Sequence, residues 1–108
     1  VANVFIIKDE SLITPALGEG CINGVMRRKI LELKSQISDL GLHVSESVLA
    51  IEDILNAEEI FLTNSMNGIR WVRQFGDAIK TNLKTLEIYK RLIQPIFIEK
   101  DFQMKGQV

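Results

Sequence analysis

The 108 residues include 46 % hydrophobic and 25 % charged side chains, which is the composition of an ordinary globular domain and not of a disordered segment. Thirteen basic and fourteen acidic side chains leave a net charge of −1. The basic excess typical of proteins that bind nucleic acid or anionic membranes is missing, so we expect neither partner. The single cysteine, Cys21, excludes an internal disulfide and favours a reducing, cytoplasmic compartment.

The first half of the chain predicts a hairpin, a helix and a strand. Two β-rich runs, residues 4–8 and 11–14, flank Asp9 and Glu10, which is typical of a hairpin. A glycine-containing loop follows, and then a helix with Gly41 as its C-terminal cap. Apolar residues recur in that helix at steps of three and four: Met26, Ile30, Leu33, Ile37 and Leu40. Alternation over residues 42–49 predicts the next strand.

The second half predicts a short helix over 51–56, a buried strand over 59–63 and a polar turn over 64–68. A further strand over 69–75 carries Trp71, which we expect in the core, and Gly76 with Asp77 predicts a turn. The last helix runs from Leu83 to about residue 100 and is kinked or ended by Pro95. Its apolar stripe consists of Leu83, Leu86, Tyr89, Leu92, Ile93 and Ile96. The order predicts an α/β fold.

Two segments could bind a ligand. Gly18, Gly20 and Gly24 precede a strongly periodic helix, and backbone N–H groups in such a loop can bind a phosphate, although glycine-rich turns of this kind are mostly structural. The polar turn over 64–68 follows a buried strand, where α/β proteins often place ligand contacts. The residues alone favour a plain connecting turn there.

The remaining polar residues favour structural roles. His43 and Cys21 have no partner nearby in the sequence, so neither a metal site nor a general base is predicted. The charged pairs are expected on solvated faces or as charges at helix ends: Arg27 with Arg28, Glu52 with Asp53, and Glu58 with Glu59. No lysine stands in a position that suggests the partly buried site a Schiff base requires.

Two stretches, TPALGEGCINGVMRRKILEL and GLHVSESVLAIEDILNAEEIFLTNSMNGIRWV, resemble the C-terminal half of class IV aminotransferases. This family is the fold-type IV group of pyridoxal-phosphate enzymes, and the resemblance covers about residues 3–97. It implies the C-terminal part of the large, cofactor-binding domain over residues 1–108, built as a mixed sheet or pseudo-barrel flanked by helices. It also implies a homodimer that acts on a small amino substrate.

The resemblance implies that the glycine loop binds the phosphate of pyridoxal 5′-phosphate. The backbone N–H groups of Val25 and Met26, directly after Gly24, would contact that phosphate. Arg27 matches an arginine of the family, and we expect it to support the loop.

The second turn supplies the other half of the implied site. Asn64 and Ser65 would bind the cofactor phosphate, while Ser65 and the N–H of Met66 would face the substrate carboxylate. Transaminases of the family usually have threonine in place of Met26 and the motif G-T-A at this turn. Both departures are more similar to 4-amino-4-deoxychorismate lyases, which release pyruvate and form 4-aminobenzoate for folate synthesis. The alternatives are a branched-chain or D-amino-acid transaminase, and a non-catalytic domain that keeps the fold without cofactor.

The family's Schiff-base lysine and the glutamate that pairs with the pyridine nitrogen have no match in these residues and would precede Val1. The start inside an apolar run, without methionine, agrees with a C-terminal part of a longer enzyme. We therefore expect no catalytic residue and no metal in this chain, no activity from it alone, and an open edge at its first strand.

Overall fold

The computed structural model describes residues 3–17, 24–64 and 68–95. Within these ranges the chain folds as β1 (Asn3–Lys8), β2 (Ser11–Pro15), α1 (Val25–Glu32), α2 (Lys34–Asp39), β3 (His43–Ser47), α3 (Ile51–Leu55), β4 (Glu59–Asn64), β5 (Gly68–Trp71), β6 (Gln74–Phe75), β7 (Ala78–Ile79) and α4 (Leu83–Ile88), which continues as a π-helical turn (Tyr89–Ile93). None of these helices combines the length and the apolar character that crossing a bilayer requires.

The main sheet has five strands in the order β3-β2-β1-β4-β5. β2 and β3 are parallel, and the other neighbours are antiparallel, so the sheet is mixed, as expected from the resemblance. The expectation of an open edge at the first strand was wrong. β1 lies in the centre, because β4 returns along its free side and pairs with it from Asn3 to Ile7.

The predicted hairpin is confirmed between β1 and β2. Asp9 and Glu10 adopt φ values of 49° and 67°, and Lys8 pairs with Ser11 across the two-residue loop. Positive φ at both loop positions is the mark of a type I′ turn, whose twist matches that of the flanking strands.

The predicted helix over 26–40 is divided at Leu33, where φ −89° and ψ 16° leave the α-helical region. The predicted cap is confirmed. Gly41 has φ +90°, its N–H donates to Ser38 O at 2.9 Å, and the N–H of Leu42 donates to Ile37 O at 3.3 Å. These two bonds define a Schellman motif, and the side chains of Ile37 and Leu42 lie together in the core.

Hydrophobic side chains cover both faces of the sheet. On one face the helices α1, α2 and α4 pack over the larger core, where the rings of Phe5 and Phe61 stack with centroids 5.0 Å apart. Such a pair contributes about 1 kcal/mol beyond its buried area. On the other face a smaller core surrounds Ile6, Ala57 and Ile60. Burial on both sides explains why β1 reads as a continuous apolar run.

Two predictions in the second half were wrong. The strand expected over 69–75 is two separate strands, β5 and β6, and the latter forms a small hairpin with β7 around the predicted turn at Gly76 and Asp77. Trp71 is 43 % exposed and not in the core. It ends β5, which is the edge strand of the sheet among the described residues.

The buried face of α4 also differs from the predicted stripe. Ile93 is buried as predicted, but Leu83 and Leu86 are 71 % and 40 % exposed, whereas Thr85 and Ile88, which the predicted stripe did not include, are buried. Thr85 turns inward because a buried carboxylate binds it, as described below. Ile96 lies outside the described residues.

Candidate functional site

Gly24 and the end of β4, where Asn64 lies, occupy the same end of the sheet. Asn3 at the start of β1 pairs with Thr63 near the end of β4, and Asn64 pairs with Gly68 on β5. A Cβ atom on Gly24 would lie only 2.9 Å from Asn3 Nδ2. Asn3 therefore contacts the start of α1 on one side and the end of β4 on the other.

The first turn of α1 has the properties of an anion site. Gly24 precedes the helix in an extended conformation and has no side chain that could cap it, and the first turn of α1 carries no acidic residue. The first intrahelical bond runs from Arg28 N to Gly24 O at 3.1 Å. The N–H groups of Val25 and Met26 thus have no acceptor within the helix, and its dipole favours a negative charge there.

Val25 and Met26 differ in what they offer a ligand. The side chain of Val25 is 59 % exposed, while that of Met26 is 7 % exposed and packs in the larger core. Because the Met26 side chain points into the core, only the backbone N–H of that residue is available to an anion.

Arg27 fastens this helix to the sheet. Its side chain is 2 % exposed, so the expectation of a solvated arginine pair was wrong for Arg27. Its Nη2 donates to Pro15 O at 2.9 Å and to Glu46 Oε1 at 2.7 Å. These contacts tie the start of α1 to the ends of β2 and β3, in agreement with the supporting role expected for this residue.

Buried polar atoms at this end of the sheet remain unpaired among the described residues. Asn3 and Thr63 are 6 % and 0 % exposed, and neither Asn3 Oδ1 nor Thr63 Oγ1 has a hydrogen-bond partner. Arg27 Nε is unpaired in the same way. A buried polar group without a partner costs about 1–3 kcal/mol. Such a cost is characteristic of a site that is completed by a polar ligand.

The second predicted turn is described only at its ends. Asn64 closes β4, and Gly68 opens β5 with φ +76°, a conformation that favours glycine. Ser65 and Met66 lie outside the described residues, so their contacts with the cofactor phosphate and the substrate carboxylate stay predictions.

Glu59 lies at the opposite end of β4 and is 3 % exposed, so the expectation of a solvated face was wrong for Glu59, and the alternative of a charge at a helix end remains. Oε1 accepts from Thr85 N at 2.8 Å and Thr85 Oγ1 at 2.7 Å, and Oε2 accepts from Lys84 N and Thr81 Oγ1, both at 3.0 Å. Burial alone would raise the pKa of this carboxyl, but the hydrogen bonds from Lys84, Thr85 and Thr81 together hold the pKa below its usual range. Glu59 is thus an ionised cap for α4.

Lys80 lies beside this cap and is 5 % exposed. Its Nζ donates to the carbonyls of Leu55 at 2.6 Å and Ala57 at 2.7 Å, and burial lowers its pKa. The expectation that no lysine is buried was therefore wrong. Lys80 holds the end of α3 at the far end of β4 from Asn3, so its position does not suit the cofactor-binding lysine.

Sequence reasoning missed Asn3 and Thr63. Each is a polar residue at the end of an apolar strand, in VANVFII and EIFLT, and that position was the available signal. Within the described ranges, no group of histidine, cysteine, aspartate or glutamate side chains is arranged to hold a metal ion.

Comparison with known proteins gives a consistent picture. The model of the family described as amino-transferase class IV matches residues 1–75. An aminodeoxychorismate lyase from Vibrio harveyi is 40 % identical over 70 residues, which cover 64 % of this chain and 24 % of the lyase.

Solved structures agree with this match. The branched-chain amino acid aminotransferase from Escherichia coli has a TM-score of 0.69 at 31 % identity, covering 90 % of this chain and 32 % of that one. An aminotransferase from Brucella abortus bound to pyridoxal phosphate has a TM-score of 0.76 at 25 % identity, covering 89 % of this chain and 33 % of that one. The chain thus spans about a third of these enzymes or less, and the fold expected from the resemblance is confirmed.

Proposed function

Since the chain belongs to the amino-transferase class IV family, we propose that the full-length protein is a pyridoxal-phosphate-dependent 4-amino-4-deoxychorismate lyase. It would release pyruvate and form 4-aminobenzoate, acting in the cytoplasm as a homodimer. The 108 residues would form the C-terminal part of its cofactor-binding domain.

One observation carries the proposal that this chain binds the cofactor phosphate. The start of α1, where Gly24 has no side chain that could cap the helix, lies against Asn3, which pairs with the end of β4. The N–H groups of Val25 and Met26 would hold the phosphate from the helix side, and Asn64 with Ser65 would hold it from the second turn. The unpaired polar atoms at this end of the sheet suit such an anion better than an apolar ligand.

When bound, pyridoxal phosphate supplies the electron sink that lowers the barrier to breaking bonds at the substrate's amine-bearing carbon. The residues of this chain hold and orient the cofactor, and Ser65 with Met66 would bind the substrate carboxylate. Lys80, the only buried lysine in the described part of the chain, donates to two carbonyls at the other end of β4. We therefore place the proton-transferring lysine in a preceding segment and expect the 108 residues alone to be inactive.

Met26 supports the lyase over a transaminase. Transaminases of the family usually have a threonine here, whose hydroxyl adds a donor, whereas the Met26 side chain is buried in the larger core. A branched-chain or D-amino-acid transaminase is the second candidate. The match with the branched-chain aminotransferase from Escherichia coli favours the branched-chain form of that alternative.

The full-length protein separates these candidates. Incubated with aminodeoxychorismate, it should release 4-aminobenzoate and pyruvate, and it should not transfer the amino group of leucine to 2-oxoglutarate. Transfer from leucine without 4-aminobenzoate would establish the transaminase. A full-length protein that binds no pyridoxal phosphate, as judged by visible absorbance, would be a non-catalytic domain.

A further inference from the structure

We propose that Asn3 and Thr63, here called the Asn3/Thr63 pair, form a second layer of hydrogen bonds beneath the bound phosphate. This inference rests on the proposed function, and it concerns two residues to which no role at the cofactor has been assigned. Their side chains would become hydrogen-bonded when the phosphate binds, either to the phosphate itself or to a water molecule that it holds.

The position of the pair supports this role. Asn3 and Thr63 are register partners on neighbouring strands, so their side chains share one face of the sheet. That face is the one covered by α1, because Phe5 and Phe61, two residues further along each strand, lie in the core beneath the helix. The Asn3 amide reaches Gly24, the residue directly before the first turn of α1.

The chemistry of the pair supports it as well. Asn3 Oδ1 and Thr63 Oγ1 are buried, and neither has a hydrogen-bond partner in the part of the chain that the structure describes. A nearby threonine shows that this face can satisfy a buried hydroxyl, since Thr14 Oγ1 donates to Val4 O at 2.7 Å. An asparagine amide can present either its oxygen or its NH₂ group after a half-turn, and a threonine hydroxyl can donate. Both side chains can therefore face an anion or its bound water.

Thr63→Val tests the pair in the full-length protein. Valine has nearly the same shape, and the lost hydroxyl has no partner among the described residues, so the cofactor-free protein should be as stable as wild type or more stable. Affinity for pyridoxal phosphate should fall about tenfold, which corresponds to one lost hydrogen bond to a charged group. Affinity for pyridoxal, which lacks the phosphate, should not change. Thr63→Ser keeps the hydroxyl and should bind pyridoxal phosphate as wild type does.

Thr14→Val is the matched control, because it removes a buried hydroxyl that does have a partner. It should lower the melting temperature of the cofactor-free protein and leave affinity for pyridoxal phosphate unchanged. Asn3→Asp supplies an independent check. A buried carboxylate beside the phosphate would repel it, so binding of pyridoxal phosphate should weaken more than binding of pyridoxal.

The outcomes separate this inference from the proposed function. If wild type binds pyridoxal phosphate and Thr63→Val binds it equally well, the Asn3/Thr63 pair has no role at the phosphate. If Thr63→Val loses affinity for pyridoxal phosphate and for pyridoxal equally, the inference is overturned too, because the pair would then act on the ring or on the fold. If wild type binds neither compound, the proposed function itself fails.

Discussion

The two ends of β4 differ in whether the buried polar groups there have hydrogen-bond partners. At the start of the strand, the carboxylate of Glu59 accepts four hydrogen bonds and the ammonium of Lys80 donates two. At the other end, Asn3 Oδ1 and Thr63 Oγ1 have no partner among the described residues. The first end is complete without a ligand and fixes the helices to the sheet. The second end lies against the start of α1, and these two buried oxygens could still form hydrogen bonds.

This contrast predicts that changes at the start of β4 lower stability, whereas changes at its end alter cofactor binding more than stability. The largest expected effect is that of Glu59→Gln. Glutamine places an NH₂ group against backbone N–H donors, and urea unfolding of the full-length protein should show a loss of about 3 kcal/mol. Glu58→Gln, at the exposed neighbour, should change stability by less than about 0.5 kcal/mol. Equal effects of the two variants would contradict the role of Glu59 as a cap.

The next largest effect is expected from Arg27→Lys, with a loss of about 2 kcal/mol in the free energy of unfolding. The lysine side chain is shorter than that of arginine, so its ammonium should not reach both Pro15 O and Glu46, to which Arg27 Nη2 donates. Because these bonds hold the start of α1, affinity for pyridoxal phosphate should fall as well. Arg28→Lys, on the exposed side of the same helix, is the matched control and should affect neither measurement. If Arg27→Lys is as stable as wild type and binds pyridoxal phosphate equally well, Arg27 does not hold the start of α1.

The stability of wild type should also depend on pH through Glu59. Its pKa is lowered in the folded state, so the unfolded chain binds the proton more readily. The stabilisation is complete above the unfolded pKa of about 4.3 and is lost as the pH falls through the lower folded value. In that range wild type should lose up to about 1.4 kcal/mol per pH unit more than Glu59→Gln. If the stabilities of wild type and Glu59→Gln fall equally with pH, Glu59 is not the source of the pH dependence.

Lys80→Met should cost about 1 kcal/mol, measured by urea unfolding. The carbonyls of Leu55 and Ala57 lose their donor, but the variant also avoids burying a charge, and the two effects partly offset each other. Pyridoxal phosphate affinity should not change, since Lys80 is remote from Asn3. Lys34→Met, at an exposed helix position, serves as the control and should be neutral. A loss of cofactor in Lys80→Met would break the division between the two ends.

The smallest effect on stability is expected from Gly24→Ala. The φ of Gly24 is −75°, which alanine adopts readily, but its Cβ would lie 2.9 Å from Asn3 Nδ2 and push that side chain aside. Unfolding should change by less than about 1 kcal/mol, while affinity for pyridoxal phosphate falls.

Gly41→Ala is the opposite case and the control for Gly24→Ala. Gly41 has φ +90° and open space around it, so alanine should cost about 1 kcal/mol of stability and leave cofactor affinity intact. If both variants lose affinity equally, Gly24 has no special contact with Asn3.

Local patterns accounted for much of this fold. Asp9 and Glu10 between two β-rich runs predicted the hairpin, Gly41 after a periodic run predicted the helix end, and the compact run EIFLT predicted β4. Each of these depends on residues close together in the chain. The same holds for the candidate site, because Gly24 and the start of α1 were found from their spacing and from a family resemblance.

Burial of charged and polar residues could not be read from neighbours in the sequence. Arg27, Glu59 and Lys80 looked solvated, yet each is buried by partners that lie from 12 to 26 residues away. Trp71 looked like a core residue, but its place on an edge strand exposes it. These outcomes depend on which strands become neighbours.

The sequence by itself determined most of the elements and the family, since periodicity, turn residues and motifs are local properties. Only the tertiary structure decided that β1 is central and that Asn3 lies between Gly24 and Thr63. Strand pairing brings together residues 60 positions apart, and Asn3 and Thr63 are such a pair. The cost of burying their unpaired oxygens follows from that pairing, and so does the expectation that a ligand completes the site.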